Sequence, residues 1–160
     1  MQKGINPAPA KKGFTIIELL VVVSIIAVLT GIVLVNVTIY INRGKDSAAK
    51  GNLSSMVTNG AVFYGTSGNY TNFFTGTNPA TITTTADCAG DNGFVRPCQA
   101  LISAGYTSID VSCAGTSCTS GTTGWCAMVT KKADTNTFCV DSSGSKIDKP
   151  AGSCASGVCS

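Results

Sequence analysis

The chain of 160 residues contains no histidine. That absence removes the usual general base, the usual zinc-binding imidazole and every Ser-His or Cys-His catalytic arrangement. Charge is also scarce: Asp, Glu, Lys and Arg make up 12% of the residues, and the formal net charge is +3. So mild a balance lacks the basic stripe that polyanion binding requires, and nucleic acid is not an expected partner. No Cys-x-x-Cys pair occurs, and the tightest cysteine spacings are Cys113 to Cys118 and Cys154 to Cys159. Without that spacing or interleaved histidines, neither a metal site nor a cofactor is expected. No nucleophile and base can be named together, so an enzyme is not expected. Proline is missing between Pro9 and Pro79, which leaves a long stretch free to be helical.

What is present is strongly ordered along the chain. Residues 1–13, MQKGINPAPAKKG, form a polar leader that carries Lys3, Lys11 and Lys12. From Phe14 onward eight Lys and Arg balance eight Asp and Glu, a neutral surface that suits self-association. Phe14 to Val35 is almost wholly apolar, with Glu18 its only charge. As a helix it would span roughly 33 Å, the thickness of a bilayer's hydrocarbon core. The basic leader is expected on the cytoplasmic side. Length suits one compact domain plus this anchor.

The apolar spacing continues through Ala49, Leu53, Met56, Val57, Gly60 and Tyr64, at helical offsets of three and four. One helix is therefore predicted from about Phe14 to about Tyr64, ending in the turn-forming GTSGN of residues 65–69. Residues 70–95 are rich in Thr, Asn and Gly and read as surface loops with one short strand at Thr81 to Thr85. PCQALISAG reads as a short helix opened by Pro97 and closed by Gly105. Strands are expected at 109–113, 125–130 and 137–142, and the tail from Ser143 reads as a cysteine-pinned loop.

Eight cysteines, Cys88, Cys98, Cys113, Cys118, Cys126, Cys139, Cys154 and Cys159, all follow the apolar segment and read as four disulfides in an oxidising compartment. Eight thiols allow 105 pairings. A hairpin loop of Lys131 to Asp134 would set Cys126 opposite Cys139, which predicts a cross-strand disulfide between them. Tyr40, Phe63, Tyr64, Tyr70, Phe73 and Phe74 read as interfacial anchors and core residues. Lys131 and Lys132 read as a solvated hairpin tip. Asp141 and Asp148 flank a Ser-Gly loop, though their spacing fits no calcium motif.

The segment KKGFTIIELLVVVSIIAVL, Lys11 to Leu29, resembles the type IV pilin family, which includes the pseudopilins of type II secretion systems. The resemblance rests on the basic leader, Gly13 followed by Phe14, the hydroxyl of Thr15 and the lone acid Glu18. It implies an α+β fold in which a long N-terminal helix packs on a small antiparallel sheet with a disulfide-pinned C-terminal loop. It implies a leader of 1–13 that a prepilin peptidase removes between Gly13 and Phe14, with N-methylation of Phe14. Residues 14–37 would then be the transmembrane and filament-core helix, and 38–160 the domain outside the cytoplasmic membrane. Expected partners are further copies of the chain in a helical filament, the prepilin peptidase, a pilus or secretion assembly platform, and the membrane that holds the precursor.

An ionised carboxylate deep in a bilayer is disfavoured by about 3 kcal/mol, so Glu18 calls for a compensating charge. The amine freed on Phe14 of a neighbouring copy would supply it and set the stacking register. An ordinary anchor or a secretory signal peptide leaves Glu18 unexplained. Two alternatives to a pilus subunit remain: a pseudopilin, because many filament-forming pilins carry a proline where this chain has only Gly31, or a minor tip pilin acting as adhesin or DNA-uptake receptor.

Overall fold

The computed structural model describes residues 13–76, 80–115, 118, 120 and 122–160. The first twelve residues of the expected leader lie outside the described residues. The chain forms two compact units, one ending at Ile39 and one running from Tyr40 to Ser160. Helix α1 spans Ile16–Ser67. It stops where expected: Gly68 takes a φ of +71° and its N–H still reaches Tyr64 O at 2.8 Å.

In the second unit, Asp46, Ala49, Leu53, Met56 and Gly60 of α1 are buried and Phe63 is half-buried, a stripe at intervals of three and four. Phe63, rather than the expected Tyr64, ends the stripe, while Tyr64 stays exposed and packs its ring 5.0 Å from Tyr70. The stripe belongs to one core with the inner face of a five-stranded antiparallel sheet. Its strands are β1 (Ala80–Ile82), β2 (Ile109–Cys113), β3 (Trp125–Thr130), β4 (Thr137–Asp141) and β5 (Lys146–Lys149), in spatial order β1-β2-β3-β4-β5. Strand alternation sends Ile109, Val111, Trp125, Ala127, Val129, Phe138 and Val140 into that core. The α+β architecture is the expected one, but the tail holds more structure than a loop. It contributes β5 and a hairpin of β6 (Cys154–Ala155) and β7 (Val158–Cys159). Ser156 and Gly157, at φ +50° and +77°, make the tight turn between them.

Two loop expectations give way to packing. Residues 70–74 open the segment read as surface loops, but Tyr70, Phe73 and Phe74 are buried, in keeping with the reading of these aromatics as core residues. Phe73 lies 5.1 Å from Trp125 and 6.1 Å from Phe94, and Phe74 lies 5.1 Å from Phe94. The aromatic rings bury enough apolar area to draw a polar segment inward. Helix α2 runs Asn92–Ser103, so it starts five residues before Pro97. Asp91 caps it by accepting the Gly93 N–H at 2.7 Å. Pro97 lacks the N–H that would bond Gly93 O four residues back, and Asn59 of α1 donates to that carbonyl instead at 2.9 Å. At the other end Gly105, at φ +87°, permits a Schellman close, with Tyr106 N–H on Leu101 O and Gly105 N–H on Ile102 O.

The hairpin register differs from the expected one by two residues. Thr130 pairs with Thr137, so Cys126 faces Asp141 and Cys139 faces Met128. Residues 131–136 form the loop, closed by Lys131 N–H on Asn136 O at 2.7 Å and shaped by Thr135 at φ +59°. Asp134 accepts the Asn136 N–H and stabilises this longer turn.

Gly60 marks a close approach of α1 to the sheet, because a Cβ there would lie 3.0 Å from two atoms of the buried Trp125 indole. Gly51 on the same helix is exposed, with open space around it. We expect Gly60→Val to lower stability by about 2 kcal/mol or more through overpacking, and Gly51→Ala to raise it by roughly 0.5–1 kcal/mol through helix propensity. Denaturant unfolding of the detergent-solubilised chain checks both signs.

Candidate functional site

Among the described residues, three non-helical ones, Gly13, Phe14 and Thr15, precede α1, which starts at Ile16. Phe14 is 78% exposed. Thr15 is the helix cap. Its hydroxyl oxygen accepts the Glu18 N–H at 3.3 Å, while its own N–H and O–H donate to Glu18 Oε2 at 2.9 and 2.8 Å. This reciprocal arrangement is a capping box, and it sets a negative charge at the positive end of the helix dipole. The sequence signal was the Thr-x-x-Glu spacing of residues 15–18, which the reading of Glu18 as an isolated acid passed over.

Beyond this turn the apolar side chains of the unit, from Ile16 to Ile39, are exposed where described. Ser24 and Thr30 return their hydroxyls to the carbonyls of Leu20 and Ile26 at 2.8 and 2.7 Å. These two hydroxyls are thus satisfied within the helix, as an apolar solvent demands. Among the described residues, α1 is the one helix long and apolar enough to cross a membrane.

The eight cysteines form four disulfides: Cys88–Cys98, Cys113–Cys118, Cys126–Cys154 and Cys139–Cys159. The expected Cys126–Cys139 bridge is therefore corrected. Both cysteines point to the outer face of the sheet, away from the main core, and each takes a partner from the terminal hairpin. That hairpin covers the outer face, where Met128 and Ile147 pack against the sulfurs.

Asp141 and Asp148 lie on opposite faces, since Asp141 pairs with Cys126 and Asp148 with the core residue Phe138. They share no site. Asp141 is buried, accepting the Ser143 and Ser145 N–H groups at 3.0 and 3.1 Å through Oδ1 and the Cys159 N–H at 3.2 Å through Oδ2. Asp148 binds Lys50 and Lys131. Lys131 is not the solvated tip expected. It is 8% exposed and held between Asp134 and Asp148, both at 2.8 Å.

A second buried acid escaped the sequence reading altogether. Asp46 accepts the Tyr106 hydroxyl at 2.6 Å and the N–H groups of Lys132 and Ala133 at 2.8 Å each, which ties α1 to the β3–β4 loop. Burial, together with this bond to Asp46, pushes the Tyr106 hydroxyl above its ordinary pKa. An acid three residues before Ala49 on the apolar stripe was the available signal.

Residues 9–34 match the family described as the prokaryotic N-terminal methylation motif. Over 65 residues the chain is 38% identical to the type IV major pilin protein PilA of Myxococcus xanthus (strain DK1622), a match covering 41% of this chain and 30% of that pilin. The matched span is therefore less than a third of the relative's length. No solved structure matches the chain.

Hydrogen bonds from Lys131 and then Lys50 hold the Asp148 carboxyl below its usual range. A carboxyl lowered on folding stabilises above its unfolded pKa, near 3.9, and this contribution is lost as pH falls through the lower folded value. We expect Asp148→Asn to cost about 1–2 kcal/mol at pH 7, since it leaves buried Lys131 short of a charged partner. Unfolding midpoints measured between pH 7 and pH 2 should show the two proteins converging below about pH 4.

Proposed function

We propose, for this type IV pilin-like chain with its prepilin methylation motif, the role of a structural pilus subunit. It is made as a precursor, cut between Gly13 and Phe14 by a prepilin peptidase and N-methylated on Phe14. Residues 14–37 hold it in the cytoplasmic membrane, with the domain of residues 38–160 outside. An assembly platform then moves it into an extracellular filament.

The observation that carries the reading is Glu18, the sole glutamate of the chain, set one turn from the cleavage junction among exposed aliphatic side chains. In the membrane its charge is disfavoured, and in a filament the amine of Phe14 on an adjacent copy neutralises it. The apolar surface of α1 supplies most of the assembly energy as it leaves lipid for contact with other copies. The charge pair sets the axial offset, because only one stagger brings acid and amine together at low dielectric.

A pseudopilin role is the second reading, favoured by the absence of proline from Phe14 to Val35. Purified surface filaments rich in this chain support the pilus, whereas a secretion defect without surface filaments supports the pseudopilus.

Glu18→Ala is expected to insert and mature normally while filament number falls at least tenfold, counted by electron microscopy. Wild-type numbers would remove the charge-pair reading. Gly13→Ala is expected to leave the leader attached, and mass spectrometry finding Phe14 as the N-terminus in that variant would displace the junction.

A further inference from the structure

The capping box assigns work to a second residue beside Glu18. Both Thr15 contacts fall on the same carboxylate oxygen, Oε2, through the backbone N–H at 2.9 Å and the hydroxyl at 2.8 Å. The side chains that share this part of the helix are Ile16, Ile17, Leu19, Leu20, Val21 and Val22, all aliphatic. Thr15 is thus the local side-chain donor to Glu18. Both residues lie on the mature side of the Gly13–Phe14 junction, so the contact survives the cut.

An unanchored glutamate has three rotatable side-chain bonds and would have to be ordered as each copy joins the filament, at a cost in conformational entropy. Fixing one oxygen removes most of that freedom. We infer that Thr15 is a positioning residue for assembly, holding Oε2 of Glu18 so that Oε1 is presented to the amine of a second copy of this chain. This rests on the charge-pair reading above, and adds to it that the acid is ordered by its own subunit before the neighbour arrives. The hydroxyl is required and the methyl group is not, so serine can replace threonine and valine cannot.

The test uses the full-length chain expressed in its membrane, with filaments counted per mature subunit so that any change in processing is divided out. Thr15→Val is expected to lower that ratio about tenfold, in keeping with loss of one hydrogen bond to a charged group, and Thr15→Ser to restore it. Adding Thr15→Val to Glu18→Ala should cause no further loss. A second measurement is independent of cleavage. Because Glu18 is the sole glutamate, a 13C-glutamate label gives one side-chain carboxylate signal, and its infrared bands in the membrane-bound precursor should shift in Thr15→Val and not in Thr15→Ser.

Wild-type filament ratios in Thr15→Val alongside impaired Glu18→Ala would overturn the positioning role and leave the charge pair standing. Normal assembly in Glu18→Ala would instead remove the charge pair itself. Unchanged carboxylate bands in Thr15→Val would overturn the contact in the membrane, whatever the filament count.

Discussion

The domain is laid out on one helical stripe. Asp46, Ala49, Leu53, Met56, Gly60 and Phe63 bring α1 onto the inner face of the sheet, and Phe94, Cys98 and Leu101 of α2 join the same core. Trp125 approaches the helix where Gly60 has no side chain, Asn59 supplies the donor that Pro97 withholds from α2, and Asp46 gathers Tyr106 and the β3–β4 loop. Apolar contact gives this packing its energy, while the two polar anchors, Asn59 and Asp46, fix where along the helix their partners sit. Those anchors are exacting: a buried donor or acceptor left unpaired costs more than a bond gained returns.

The first unit obeys the opposite rule. Its described aliphatic side chains, from Ile16 to Ile39, are exposed, and the hydroxyls of Ser24 and Thr30 are bonded within the helix. A segment built this way is at ease in lipid or among other such helices and ill-suited to water. Glu18 is the exception, and the capping box shows how the helix accommodates it before any neighbour is present.

Elements whose evidence was local were legible in the sequence. IDVSC alternates cleanly and forms β2 at the expected residues, and GTSGN ends α1 because Gly68 accepts positive φ. Errors came where a distant partner decides. Pro97 looked like a helix start because Asn59, which makes it tolerable within α2, lies 34 residues away from Gly93 in sequence. The β3–β4 register turned on Asp134 and Thr135 favouring a longer loop, and with that shift the Cys126–Cys139 pairing lost its basis. Lys131 looked solvated because Asp148, its second partner, arrives on a strand that the polar tail did not advertise. At the candidate site, Gly13, Phe14 and Glu18 stood out from the apolar run, whereas Thr15 needed its four-residue spacing to be read as a cap.

The outer-face hairpin carries a consequence for the order of oxidation. Cys88–Cys98 and Cys113–Cys118 close over separations of 10 and 5 residues, so each is completed soon after its segment emerges. Cys126 and Cys139 must wait for thiols 28 and 20 residues further on, and until those residues have joined the chain they are the nearest reduced pair available to each other. A hurried oxidant would join them and strand the last two thiols. Correct maturation thus calls for a thiol-exchange catalyst able to undo that shortcut, or for oxidation slow enough that the tail docks first.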